Sequence, residues 1–136
     1  TFFLTYGDAI SNINIKKLFN FHLKLKKIIT LTGVYPASRF GNLKLKNNII
    51  KEFNEKPIIT KNLVNGGFFV CNKSIFRFLK NSSKNLNFER DILNILAKKK
   101  LISCYRHKSI WAAVDHRRDY ENILKLWKQN KFKFKS

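Results

Sequence analysis

Two short apolar runs, one near each end of the chain, are each closed by an aspartate. Phe2-Phe3-Leu4-Thr5-Tyr6-Gly7 runs into Asp8, and Ile110-Trp111-Ala112-Ala113-Val114 runs into Asp115. Each run has the length and residue types of a buried strand, and each is followed by a segment with helical periodicity. That pattern predicts an α/β sheet with both carboxylates at the carboxyl ends of its strands, the edge at which such sheets bind ligands. Two carboxylates converging there repel each other unless a cation lies between them, and hard oxygen donors suit Mg²⁺ carried on phosphate oxygens. The pair therefore points to metal-assisted phosphate chemistry.

The rest of the chain fits one α/β unit spanning residues 1–136. Residues 14–25 carry Ile15, Leu18, Phe19 and His22 at helical spacing, with Asn12 or Asn14 as N-cap. A strand follows at 28–35, then a loop through Pro36-Ala37-Ser38-Arg39-Phe40-Gly41. Alternating segments at 42–46 and 49–54 read as a hairpin closed by Asn47-Asn48. Gly66-Gly67 reads as a turn before the apolar run Phe68-Phe69-Val70-Cys71, and Asn72 or Ser74 caps a helix at 75–79. Residues 81–87 form a polar loop. Phe88, Ile92, Ile95 and Leu96 share one face of a helix over 88–99, strands fall at 101–106 and 110–114, and a helix over 120–127 closes the set.

The formal charge of +20 suggests nucleic acid, because lysine and arginine neutralising phosphates dominate such binding. Composition weakens that reading. About half the chain is Lys, Asn, Ile and Phe, the bias that A/T-rich codons impose on a whole coding sequence. The basic residues are scattered, and neither Lys98-Lys99-Lys100 nor the tail lysines 131, 133 and 135 have the length of a polybasic arm. The charge reads as solvated surface with some attraction for anionic substrates, and no specific nucleic-acid partner is expected. No apolar run approaches the ~20 residues that span a bilayer, so no membrane segment is expected. Cys71 and Cys104 lack partners at metal-ligand spacing and read as small buried hydrophobes in a reducing, cytoplasmic setting. The chain begins at Thr1, contains no methionine and enters its first strand at once, which reads as part of a longer frame.

Each candidate residue also has an ordinary reading. Asp8 could cap a turn, and Asp115 could pair with Arg117 or Arg118. Lys56 is one of many lysines. Glu55 and Gly66-Gly67 could simply end a hairpin and make a turn. His22 reads as a packed histidine, and no triad or zinc spacing surrounds His107 or His116.

Taken in order, Leu4-Thr5-Tyr6-Gly7-Asp8, Arg39-Phe40-Gly41, Glu55-Lys56-Pro57, Asn65-Gly66-Gly67-Phe68-Phe69-Val70 and Val114-Asp115 resemble the second half of the sugar-1-phosphate nucleotidylyltransferases. Within that family the glucose-1-phosphate cytidylyltransferases are the most similar branch. Phe88-Glu89-Arg90, Arg118-Asp119-Tyr120 and Leu126-Trp127 extend the likeness nearly to the C-terminus. The resemblance implies a three-layer fold, a mixed and mostly parallel sheet between helices, without the N-terminal nucleotide-binding part.

It also implies a reaction in which glucose 1-phosphate attacks the α-phosphate of CTP, giving CDP-glucose and pyrophosphate with Mg²⁺. Such a reaction serves sugar-nucleotide and polysaccharide (O-antigen) biosynthesis. On that reading Asp8 and Asp115 match the metal-binding aspartates, and Lys56 matches the lysine on the sugar phosphate. Glu55 matches the acceptor of sugar hydroxyls, and Gly41, Asn65, Gly66 and Gly67 match positions close to the hexose. The full-length enzyme is expected to be a homo-oligomer.

The chain departs from the family pattern in three places. Ala9 stands where glycine is usual, His116 stands where threonine is common, and no glycine-rich Gly-x-Gly-Thr-Arg loop occurs in the sequence. Without that loop the chain alone is expected to bind CTP poorly and to be inactive. Two alternatives stand beside this reading: a transferase for another nucleotide and sugar phosphate, and a non-catalytic basic module that binds nucleic acid.

Overall fold

The computed structural model describes residues 1–36, 42–54, 62–79 and 86–132. Four strands form the main sheet: β1 (Phe2–Thr5), β3 (Ile29–Val34), β6 (Val64–Cys71) and β7 (Ile102–His107), in the order β1-β6-β3-β7. β6 runs antiparallel to both its neighbours, β1 and β3, whereas β3 and β7 are parallel. Three of the four strands thus share one direction, and the sheet is mixed as expected.

Side chains alternate across the sheet and build a core on each face. On one face Ile29, Phe69 and Cys71 pack with Ile75, Ile92 and Leu96 from the helical segments that follow β6. On the other, Val70 packs with Ile13 and with Leu18 of α1 (Ile15–Leu25), flanked by Phe68 and Tyr105. Helix, sheet and helix make the three layers.

Local chemistry sets the helix ends. The Asn14 side chain accepts from the Lys17 amide at 2.8 Å, and Lys26, at φ 50°, closes α1 with its N–H on the His22 carbonyl. The Asn72 side chain caps a 3₁₀ turn, Lys73–Ile75, that runs into α2 (Phe76–Leu79). The single helix expected over 88–99 is instead a π-helical turn, Phe88–Leu93, continued by α3 (Asn94–Lys98). Asn87 and Asp91 cap that turn reciprocally, the Asn87 N–H donating to the Asp91 carboxylate at 2.8 Å and the Asn87 side chain accepting from Arg90 at 2.7 Å. β4 (Asn42–Lys46) and β5 (Ile49–Asn54) form the expected hairpin. Asn47 and Asn48 supply the two positive φ angles that its tight turn demands.

Three expectations are corrected. Cys104 is exposed rather than buried. The run 110–114 does not join the main sheet: its strand β8 (Trp111–Ala113) pairs antiparallel with β2 (Ala9–Ser11), a strand the sequence did not suggest. The two make a ribbon outside the four-stranded sheet, continued by α4 (Arg117–Lys128). Gly66-Gly67 is not a turn but lies inside β6.

Two histidines are buried. His22 on α1 places Nδ1 2.9 Å from the Thr30 hydroxyl, which lies 2.8 Å from that of Ser103. His107 lies 3.2 Å from both the Ser11 hydroxyl and the Ile110 carbonyl. Burial holds both imidazoles below the ordinary value of 6.5, helped at His22 by the chain's amino group and opposed at His107 by the Ile110 carbonyl. Between the lowered folded value and 6.5 the unfolded chain binds protons that the folded chain does not. Stability is therefore full above about pH 6.5 and falls as pH drops below it. Urea unfolding at about pH 5.5 should show a lower midpoint than at about pH 7.5 with the same slope, because most carboxylates stay ionised at both. A flat profile would show that the two imidazoles do not couple to folding.

Candidate active site

The ribbon brings the segments that carry the two predicted aspartates to one end of the pairing. Ala9 faces Ala113 across it, and beyond that pair the Val114 amide donates to the Asp8 carbonyl at 2.8 Å. Asp8 and Asp115, from opposite ends of the sequence, thus flank one mouth of the ribbon, and both are exposed. The donor set is two solvated carboxylates, which fits Mg²⁺: that ion binds through one or two carboxylates, keeps several waters and takes the rest of its shell from phosphate. Among the described residues no group of three or more His, Cys, Asp or Glu side chains gathers into a protein-only cage. Asp8 and Asp115 would hold the ion, leaving positions open to a substrate.

The far end of the ribbon is tied to the sheet. Ser11 donates to the Ile110 carbonyl at 2.7 Å and also meets His107, and the Asn12 side chain donates to Ser109 at 3.0 Å. The Trp111 indole N–H donates to the Gly66 carbonyl at 2.8 Å, joining β8 to β6.

Asn65, Gly66 and Gly67 form one knot beside this mouth. The Asn65 side chain accepts from the Gly67 amide at 3.0 Å and donates to the Tyr6 hydroxyl at 3.3 Å. The Tyr6 amide donates to the Gly67 carbonyl at 2.9 Å, and its hydroxyl donates to Glu89. Burial, Glu89 and the negative charge of Asp8 together push the Tyr6 phenol up to about 12, with the Asn65 hydrogen bond opposing them, so it stays a neutral donor. Gly67 has φ +75°, and a Cβ there would stand 3.0 Å from the Tyr6 ring. A Cβ on Gly66 would stand 2.7 Å from Val34 Cγ1 and 3.0 Å from the Thr32 carbonyl oxygen. Both glycines are buried, so the protein's own packing already demands them.

The predicted Gly41, Glu55 and Lys56 lie outside the described residues. Sequence reasoning overlooked roles for Tyr6, Trp111 and His107, and noted Glu89 without giving it one. An aromatic donor next to a Gly-Asp pair, and a tryptophan within a short strand, were the available signals.

The nucleotidyl transferase family model matches residues 1–129 of the chain. The chain belongs to the nucleotidyl transferase family. A probable glucose-1-phosphate cytidylyltransferase of Bacillus subtilis is 36% identical over 129 residues, covering 95% of this chain and 50% of that protein. The glucose-1-phosphate cytidylyltransferase of Salmonella typhimurium is 33% identical over 135 residues, covering 99% of this chain and 52% of that protein. The chain thus spans about half the length of the curated relatives it matches. A solved structure of a putative glucose-1-phosphate thymidylyltransferase from Bacillus anthracis superposes with a TM-score of 0.62 at 18% identity, over 91% of this chain and 53% of that one. At that identity the likeness concerns the fold, and the mixed sheet between helices is the nucleotidyl transferase arrangement.

Proposed function

We propose that this chain supplies the metal-binding and sugar-phosphate-binding portion of an enzyme that transfers a cytidylyl group from CTP to glucose 1-phosphate. The observation that carries this reading is the ribbon, which brings the segments carrying the exposed Asp8 and Asp115 to one end, next to the Asn65–Gly67 knot. The choice of CTP and glucose 1-phosphate is supported by the identity to the two cytidylyltransferases across nearly the whole chain.

In the reaction an oxygen of the sugar phosphate forms a bond to the α-phosphorus of CTP as the bond to the departing pyrophosphate breaks. A bound Mg²⁺ supplies charge neutralisation and alignment for such an in-line displacement. Asp8 and Asp115 would hold it, Lys56 would place a point charge on the sugar phosphate, and Glu55 would accept from sugar hydroxyls. Gly41, Asn65, Gly66 and Gly67 would line the hexose side, the last three held by Tyr6 and Trp111.

We propose further that the full-length enzyme is a cytoplasmic homo-oligomer. Among the described residues no helix is long and apolar enough to cross a membrane. The exposed apolar face of the β4–β5 hairpin, with Leu43, Leu45, Ile50 and Phe53 each more than half exposed, supports self-association.

The test is calorimetric titration of the 136-residue chain with glucose 1-phosphate and with CTP, each with Mg²⁺ and again with EDTA. Mg²⁺-dependent binding of the sugar phosphate, with CTP far weaker because the glycine-rich loop is not in this sequence, is the expected result. Tight CTP binding with no response to glucose 1-phosphate would overturn it. A panel of CTP, UTP, dTTP and GTP on the full-length enzyme, read as pyrophosphate release, tests the preference for CTP.

A further inference from the structure

Pairing between β3 and β6 slips at one point. Leu31 faces Phe69 and Gly33 faces Asn65, so Thr32 alone opposes Gly66, Gly67 and Phe68. Such a bulge takes backbone groups out of the regular ladder and re-aims them. Two of its carbonyls are claimed from outside β3. The Gly67 carbonyl receives the Tyr6 amide at 2.9 Å, two residues before Asp8. The Gly66 carbonyl receives the Trp111 indole at 2.8 Å, on the strand that leads to Asp115.

From this we infer that Trp111 is a positioning residue: its indole N–H ties the Asp115 arm to the same bulge that holds the Asp8 arm, so that metal and sugar phosphate bind in one fixed relation. The inference rests on the sugar-phosphate reading of the site and adds a residue to it. The alternative role for Trp111 is filling space between ribbon and sheet, and the two roles separate chemically. Trp111→Phe keeps an aromatic ring at the position but removes the donor, leaving the buried Gly66 carbonyl without its indole partner. A space-filling residue tolerates that change, whereas a positioning residue loosens the arm carrying one of the two metal carboxylates. Metal and sugar phosphate would then no longer strengthen each other's binding, a coupling that is reciprocal by thermodynamic necessity.

The experiment is glucose 1-phosphate titration of the ¹⁵N-labelled 136-residue chain with and without Mg²⁺, for the native protein and Trp111→Phe. In the native chain the Gly66 and Gly67 amides and the Trp111 indole N–H should shift with a single dissociation constant that Mg²⁺ tightens about tenfold, roughly the effect of one well-placed hydrogen bond. The Trp127 indole, on a residue 56% exposed, should stay still. Trp111→Phe should lose most of the Mg²⁺ enhancement, read as the ratio of the sugar-phosphate dissociation constants with and without Mg²⁺, whatever the change in either constant alone. If the enhancement survives in Trp111→Phe, the positioning role is overturned and the sugar-phosphate reading stands. If neither glycine amide moves in the native chain, the sugar-phosphate reading fails and takes the inference with it. Should Trp111→Phe not fold, the indole signal of the native chain decides: a shift on Mg²⁺ addition supports the role, and no shift overturns it.

Discussion

Asp8→Asn, made in the full-length enzyme, is expected to lower Mg²⁺-dependent nucleotidyl transfer by about a thousandfold or more while leaving the circular dichroism spectrum and urea midpoint nearly unchanged. The side chain is exposed, so its removal disturbs no core. The backbone carbonyl of residue 8, which receives the Val114 amide, is present in either residue. What would change on the proposed metal assignment is a ligand: an amide oxygen lacks the charge that offsets a divalent ion, and metal stabilisation of a phosphoryl transition state is worth several kcal/mol. Asp115→Asn should behave alike, and the double variant should be little worse than either single one, because the two act as a unit. Near-normal pyrophosphate release by either single variant would remove the metal assignment.

Gly67→Val is expected to destabilise the chain by about 4 kcal/mol, read as a shift in the urea midpoint. A β-branched residue at φ +75° is strained by about 1–3 kcal/mol, and its Cβ would meet the Tyr6 ring at 3.0 Å, adding an overpacking cost of about 1–3 kcal/mol. Against a typical domain stability of about 5–15 kcal/mol, that loss would leave much of the chain unfolded at modest urea. Gly7→Ala is the contrasting case. A Cβ at Gly7 meets nothing within 4 Å, and Gly7 is not among the residues with positive φ, so stability should hold or rise slightly. Equal damage from both would show that the knot around Gly67 is not a fixed contact.

Much of the architecture was legible because local patterns act over short spans. Asn14 before an apolar stripe gave the helix start, and Asn47-Asn48 between alternating segments gave the hairpin, since in each case side-chain chemistry alone selects the backbone angles. Asp8 and Asp115 were legible as carboxylates closing apolar runs, yet the structure sets Asp8 in the turn between β1 and β2 and Asp115 after a strand outside the main sheet, so their meeting at one ribbon was not legible. Three-residue β2 is too short to carry a period, and its partner β8 lies at the other end of the sequence, so only tertiary pairing defines either strand. Gly66-Gly67 misled for a different reason. Paired glycines signal a turn by composition, but here they relieve crowding inside a strand against Val34, Thr32 and Tyr6, which no local window contains. The π-helical turn at Phe88–Leu93 keeps the apolar spacing of an α-helix, so periodicity could not separate the two.

The ribbon also governs the order in which the molecule can acquire its chemistry. β2 follows the first strand of the chain, and β8 arrives only after every strand of the main sheet has been laid down in sequence. Closing so long a loop is entropically costly and slow compared with forming α1 or the Asn47-Asn48 hairpin. A partly folded chain can therefore own a helix, a hairpin and most of its sheet while its two carboxylates remain far apart. On the proposed metal assignment, divalent-ion affinity would become a gauge of completed folding, the ion binding only the state in which the segments carrying Asp8 and Asp115 have met.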